Sequence, residues 1–87
     1  MAYFAKIENN IVTEIISVSN AVCGEPTLIF PDTDSAGRAY IANSLRFDGQ
    51  WAQTSYNGNF RGCYAGIGYT YDPTLGEYGE FIPPTNS

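Results

Sequence analysis

The alternation of residues 2–18 about Asn9-Asn10 constrains this chain more than any other feature. From Ala2 to Glu8, Tyr3, Ala5 and Ile7 share one face and Phe4, Lys6 and Glu8 the other, which is the period of a strand. Asparagine accepts positive φ, so Asn9-Asn10 predicts a tight primed turn into a second arm, Ile11–Val18. That arm is apolar on both faces, with Ile11 and Ile15 on one and Val12, Ile16 and Val18 on the other. It is therefore expected as the central strand of a sheet covered on both sides.

Beyond the hairpin, Ser19–Asp34 reads as loop, with Gly24, Pro26 and Pro31, interrupted by Leu28-Ile29-Phe30 as a short edge strand. Asp34 or Ser35 is placed to cap a helix from about Ala36 to Arg46, with Ile41, Ala42 and Leu45 as its apolar stripe. So short a helix does not persist alone in water and must pack on the sheet. Trp51–Tyr56 alternates as a third strand with a polar outer face, and Asn57-Gly58-Asn59 is the strongest turn signal of the chain. From Tyr64 a further strand places Ile67, Tyr69 and Tyr71 on one face opposite Gly66 and Gly68, glycines that suit a bulge or a ring lying on the backbone. Asp72–Gly76 turns the chain into a last strand, Glu77–Ile82. These segments predict a single α+β domain over residues 1–82: an antiparallel sheet of four or five strands with one helix packed on a face. Residues 83–87 form a Pro-rich polar tail.

With 87 residues the core is thin, yet 44% of the residues are hydrophobic, too many for a disordered tail. Four basic residues, Lys6, Arg38, Arg46 and Arg61, face nine acidic ones, for a net charge of −5. Such a balance repels phosphate and argues against nucleic acid and anionic membrane surfaces as partners. No apolar run has the length of a membrane span and residues 1–20 do not have the pattern of an export signal, so a soluble protein is expected.

Histidine is absent, which removes Ser-His and Cys-His nucleophile pairs and leaves Cys23 and Cys63 too few to complete a zinc site. The two cysteines are either reduced thiols of the core or a disulfide that would stabilise by roughly 4 kcal/mol. Asp32–Gly37 opens like a calcium loop, but its twelfth position is Asn43, not a bidentate carboxylate. Gly66-Ile67-Gly68 has Tyr71 where a dinucleotide fingerprint needs its third glycine. Neither metal nor cofactor is expected, and no catalytic residues are assigned.

Aromatic residues are the stronger signal, 15% of the chain. Most of them are needed for the core; the remainder suits an interface, since rings with polar tips are favoured between proteins. The candidate interface residues are Trp51, Tyr56, Phe60, Tyr64, Tyr69 and Tyr71, with Arg61 as charged anchor and Pro83 and Pro84 as an extended tail. Exposed rings also serve carbohydrate binding when they line a concave surface flanked by Asn and Asp.

The strings QTSYNGNFR, YAGIGYTYD and FIPP, in that order behind MAYFAKIENNIV, resemble a group of short virion proteins of tailed bacteriophages, chiefly phages of cyanobacteria and other marine bacteria. The resemblance spans most of the chain and is weak between about Val22 and Gln50. It implies a non-enzymatic structural protein of the virion, assembled in the host cytoplasm. Its partners would be other virion proteins, the major capsid protein or tail proteins, or further copies of itself. Gly62-Cys63 stands where a more polar pair is expected, and the Trp-rich segments expected after FIPP are not among these residues. This weights the expectation toward a capsid cement or decoration protein, with a tail or tail-fibre component, binding its neighbours or a host surface glycan, as the alternative.

Overall fold

A computed structural model of the chain describes residues 1–84. Thr85-Asn86-Ser87, the end of the expected tail, lie outside the described residues. Strands β1 (Ala2–Glu8) and β2 (Ile11–Val18) form the hairpin with the expected limits. Asn9 and Asn10 have φ of 53° and 65°, the two positive values that a type I′ turn requires. Strands β3 (Gln50–Thr54), β4 (Thr70–Asp72) and β5 (Glu80–Ile82) complete a five-stranded antiparallel sheet of order β3-β1-β2-β4-β5. With one α-helix among the described residues, α1 (Asp32–Tyr40), the fold is α+β as expected.

The sheet is covered on both faces. On one, Phe4, Val18 and Trp51 pack with Cys23, at the end of a short 3-10 turn over Asn20–Cys23, and with Ile41, just past α1. On the other, Ala5 and Ile7 of β1, Val12 of β2, Ala52 of β3, Tyr71 of β4 and Phe81 of β5 meet in one cluster with Ala65. A flat sheet would not gather residues of all five strands at one point; this sheet curls around them. β2 stands in the middle of the strand order, but it meets β4 only at Ile11↔Thr70. The strand paired on both sides along most of its length is β1, between β2 and β3.

Val12 does not share the face of Ile16 and Val18. The register runs Lys6↔Glu14 and then Ile7↔Val12, so Thr13 is an extra residue in β2. This bulge turns Val12 to the Ile15 side, and strict alternation read from the sequence fails there. Trp51–Ser55 is buried throughout, so the polar outer face expected for β3 is absent; Gln53, Thr54 and Ser55 lie inside. Leu28-Ile29-Phe30 is not a strand, the chain from Tyr64 becomes strand only at Thr70, and Glu77–Gly79 belongs to the turn before β5.

The helix starts at Asp32, earlier than expected, and continues through a wider π turn at Ile41–Leu45, which ends at Arg46 with a φ of 57°. Asp32 and Asp34 in its first turn and Arg38 in its last suit the helix dipole. Of the expected stripe, Ile41 is buried, Leu45 half-buried and Ala42 exposed. Gly37 lets the helix approach β1: a Cβ there would lie 2.0 Å from Cζ of Phe4. A mid-helix glycine costs about 1 kcal/mol relative to alanine, and here the close packing of Phe4 requires it.

Candidate functional site

Asp34 caps no helix. Its buried carboxylate joins three parts of the fold: Oδ1 accepts the backbone N–H of Gln53 at 2.7 Å and lies 3.3 Å from Nη2 of Arg61, while Oδ2 accepts Nε of Arg38 at 2.8 Å. Thr33 beside it donates its hydroxyl to Oε1 of Gln53 at 2.7 Å. These bonds explain how two polar side chains are tolerated where β3 meets α1.

Arg61 sits at the centre of a second set of contacts. Its φ is 57°, and its carbonyl accepts the N–H of Cys63 and of Phe81 in β5. Nη1 donates to the Tyr71 hydroxyl at 3.0 Å, which in turn donates to the Tyr78 carbonyl at 3.0 Å. The guanidinium carbon lies 5.3 Å from the ring centre of Phe30 and 5.7 Å from that of Tyr71, within cation–π range. Nε of Arg61 is buried with no acceptor among the described residues, so one donor at the edge of this cation is left unpaired.

The segment Ser55–Tyr64 is thereby fixed and carries aromatic clusters on its two flanks. On one, Tyr3, Tyr56 and Tyr64 meet pairwise at centroid distances of 5.2 to 5.7 Å. Burial, with smaller contributions from Tyr3 and Tyr56, holds the Tyr64 phenol above its ordinary pKa, so it stays protonated at neutral pH. On the other flank, Phe30 stacks on Phe60 at 3.8 Å and meets the Tyr78 ring edge-on at 5.0 Å. Tyr56 is 65% and Tyr78 40% exposed, and Ile29, next to Phe30, is 75% exposed. Beside Tyr56 lies an open cleft of about 250 Å³ bordered by Asn20, Asn57 and Asn59. A groove of about 380 Å³ between α1 and β3 is lined by Arg38, Ala42, Phe47 and Trp51.

The sequence-predicted interface residues divide. Tyr56 is exposed, and Phe60, Tyr64 and Tyr69 are half-buried in or next to the ring clusters and core. Pro83 and Pro84 are exposed past β5. Trp51 and Tyr71 are core residues, each under a tenth exposed, and Trp51 is tied to the Asp48 carbonyl. Arg61 is not a free anchor: its side chain is 8% exposed and is held by Asp34 and Tyr71. Tyr3, Phe30 and Tyr78 complete the clusters without having been assigned to the interface, because ring contacts between distant segments leave no mark in local periodicity.

Cys23 and Cys63 are free thiols on opposite faces of the sheet, so they do not form the disulfide. Burial first, then Glu25 and Asp34, raises the Cys23 pKa; burial and Glu80 raise that of Cys63, whose Sγ donates to the Phe81 carbonyl. Neither is a thiolate at neutral pH. Among the described residues no group of three His, Cys, Asp or Glu side chains is placed to hold a metal ion. Set against known proteins, the chain matches no protein-family model, no curated protein and no solved structure.

Proposed function

We propose that the chain is a non-enzymatic structural protein of a tailed phage particle, a cement or decoration subunit that docks on the head lattice through the rings flanking Ser55–Tyr64. The observation that carries the docking part is that two aromatic clusters, each with a well-exposed ring, flank one segment whose backbone is fixed from below by Arg61 and Asp34. Prearranged rings lose little conformational freedom on binding and bring large apolar area, which is what interface anchors need. The virion part is supported by the resemblance of QTSYNGNFR, YAGIGYTYD and FIPP. Many copies, each held by a modest contact, would stabilise a lattice through avidity.

Quantitative mass spectrometry of purified particles, with heads separated from tails, tests this. Copies that follow the heads in numbers comparable with the major capsid protein support the decoration role. A few copies following the tails would overturn it in favour of a tail component. The Asn-bordered cleft beside Tyr56 favours a glycan as that component's ligand, since a sugar ring stacks on tyrosine while amides take its hydroxyls. Absence from both fractions would overturn the virion role altogether.

A further inference from the structure

The strand edges of this sheet are not treated alike. At β3 the outward N–H of Gln53 is taken by Asp34. At β5 the N–H of Phe81 donates to the Arg61 carbonyl at 2.9 Å, and its carbonyl accepts from Cys63 Sγ. Along β2, by contrast, cover from the β4 side ends early. Tyr71 N–H bonds the Asn10 carbonyl, and Val12 exchanges bonds with Tyr69 and Gly68, each at 2.7 or 2.8 Å. Beyond Val12, no described residue bonds to the outer side of β2.

The open groups can be identified from the alternation of backbone direction along a strand. Val12 points outward, toward β4, so its register partner Ile7 points away from β2. Counting back along β1, Lys6, Phe4 and Ala2 point toward β2, and their partners Glu14, Ile16 and Val18 point inward. Ile15 and Ser17 therefore present their N–H and C=O groups to the outside. The same alternation along β3 turns Gln53 outward, where Asp34 accepts its N–H. Edges in natural proteins are blunted by lysine, proline, bulges or cover. Between Glu14 and Val18 there is no proline and no cation, and Glu14 stands opposite Lys6 on the neighbouring strand. Ile15 and Ile16 are half-buried on opposite faces and Ser17 is exposed.

We propose that two copies of the chain join β2 to β2 as antiparallel neighbours about a two-fold axis at Ile16. In this register Ile15 lies opposite Ser17 of the second copy, and Ser17 opposite its Ile15, so all the open N–H and C=O groups of both residues are bonded. Ile16 meets its own counterpart in a close, non-hydrogen-bonded pair, and Glu14 lies opposite Val18, so no two like charges are directly opposed. The contact is isologous and closes at two copies, leaving no edge for further growth there. A single strand pair is a small interface, so the dimer is weak. Each copy carries a net charge of −5, so association strengthens as salt screens the repulsion. The inference stands on the backbone accounting alone and not on the virion reading.

The test uses the full chain in solution. Light scattering or sedimentation across a concentration series is expected to show a monomer–dimer equilibrium that shifts toward dimer at higher salt. Ile16→Cys is expected to form a covalent dimer under mild oxidation. Ser17→Cys is not, because in this register its Cα lies beyond the roughly 7 Å that a disulfide spans. Unmutated protein controls for Cys23 and Cys63, and circular dichroism verifies that each variant is folded. A monomer at every concentration and salt overturns the proposal, and so does a Ser17→Cys variant that cross-links as readily as Ile16→Cys.

Discussion

Asp34 shows how much one buried carboxylate can organise in a small fold. It binds an exposed arginine, an enclosed arginine and a strand-edge amide at once. Removing one member of an enclosed pair leaves the other charge without compensation, so Asp34→Ala is expected to destabilise by about 3–5 kcal/mol. Arg38→Ala removes a side chain that is itself half exposed and should cost no more than about 1 kcal/mol. Combining Asp34→Ala with Arg61→Met removes both charges and should cost clearly less than the sum of the single changes. Urea unfolding of wild type, Asp34→Ala, Arg38→Ala, Arg61→Met and the double variant measures this. None of it was legible in the sequence, where Asp34 ahead of an apolar stripe reads as a helix cap. Local chemistry was satisfied either way; Gln53 and Arg61, distant in sequence, decide the outcome. Arg61 was recognised as important but for an external role, because the sequence does not show that Asp34 and Tyr71 enclose it.

Among the elements, the hairpin was legible because its determinants are local: period-two alternation and two residues that accept positive φ. Asn9→Val places a β-branched residue at a φ of 53° and should destabilise by about 1–2 kcal/mol, read as a lowered urea midpoint with an unchanged slope. The bulge at Thr13 escaped, since its only trace is the register of the partner strand. The short strands β4 and β5 were placed correctly but drawn too long, because turn residues around Gly68, Gly76 and Gly79 take positive φ and end the pairing. Of the two glycines expected to permit a bulge or a ring on the backbone, Gly66 has the ring, since a Cβ there would lie 2.9 Å from Tyr69, whereas a Cβ at Gly68, which takes a φ of 93°, would meet nothing within 4 Å. In the turn before β5, Asp72 Oδ1 accepts both the N–H and the hydroxyl of Thr74, which lowers the Asp72 pKa. A lowered folded-state pKa means the contribution is present above the ordinary aspartate value, about 3.9, and is lost as pH falls through the folded value. The Thr74 amide signal in NMR should therefore titrate with a midpoint below that of a free aspartate, and Asp72→Asn should abolish this titration.

At the scale of the whole molecule, a curled sheet with a helix on one face and a ring-bearing loop on the other uses most of its aromatics twice, as packing and as surface. Trp51 and Tyr71 went to the core, while Tyr56 and Tyr78 remained outside, and the division follows from how Ser55–Tyr64 folds back over β3. If that surface docks on neighbouring virion subunits, it must lose access to solvent when particles assemble. Hydroxyl-radical footprinting of the free protein and of intact particles reads this directly. Oxidation of Tyr56 and Tyr78 is predicted to fall several-fold in particles, while that of Phe47, which lies by the groove between α1 and β3, is unchanged. Equal oxidation of Tyr56 and Tyr78 in the two states would contradict the account.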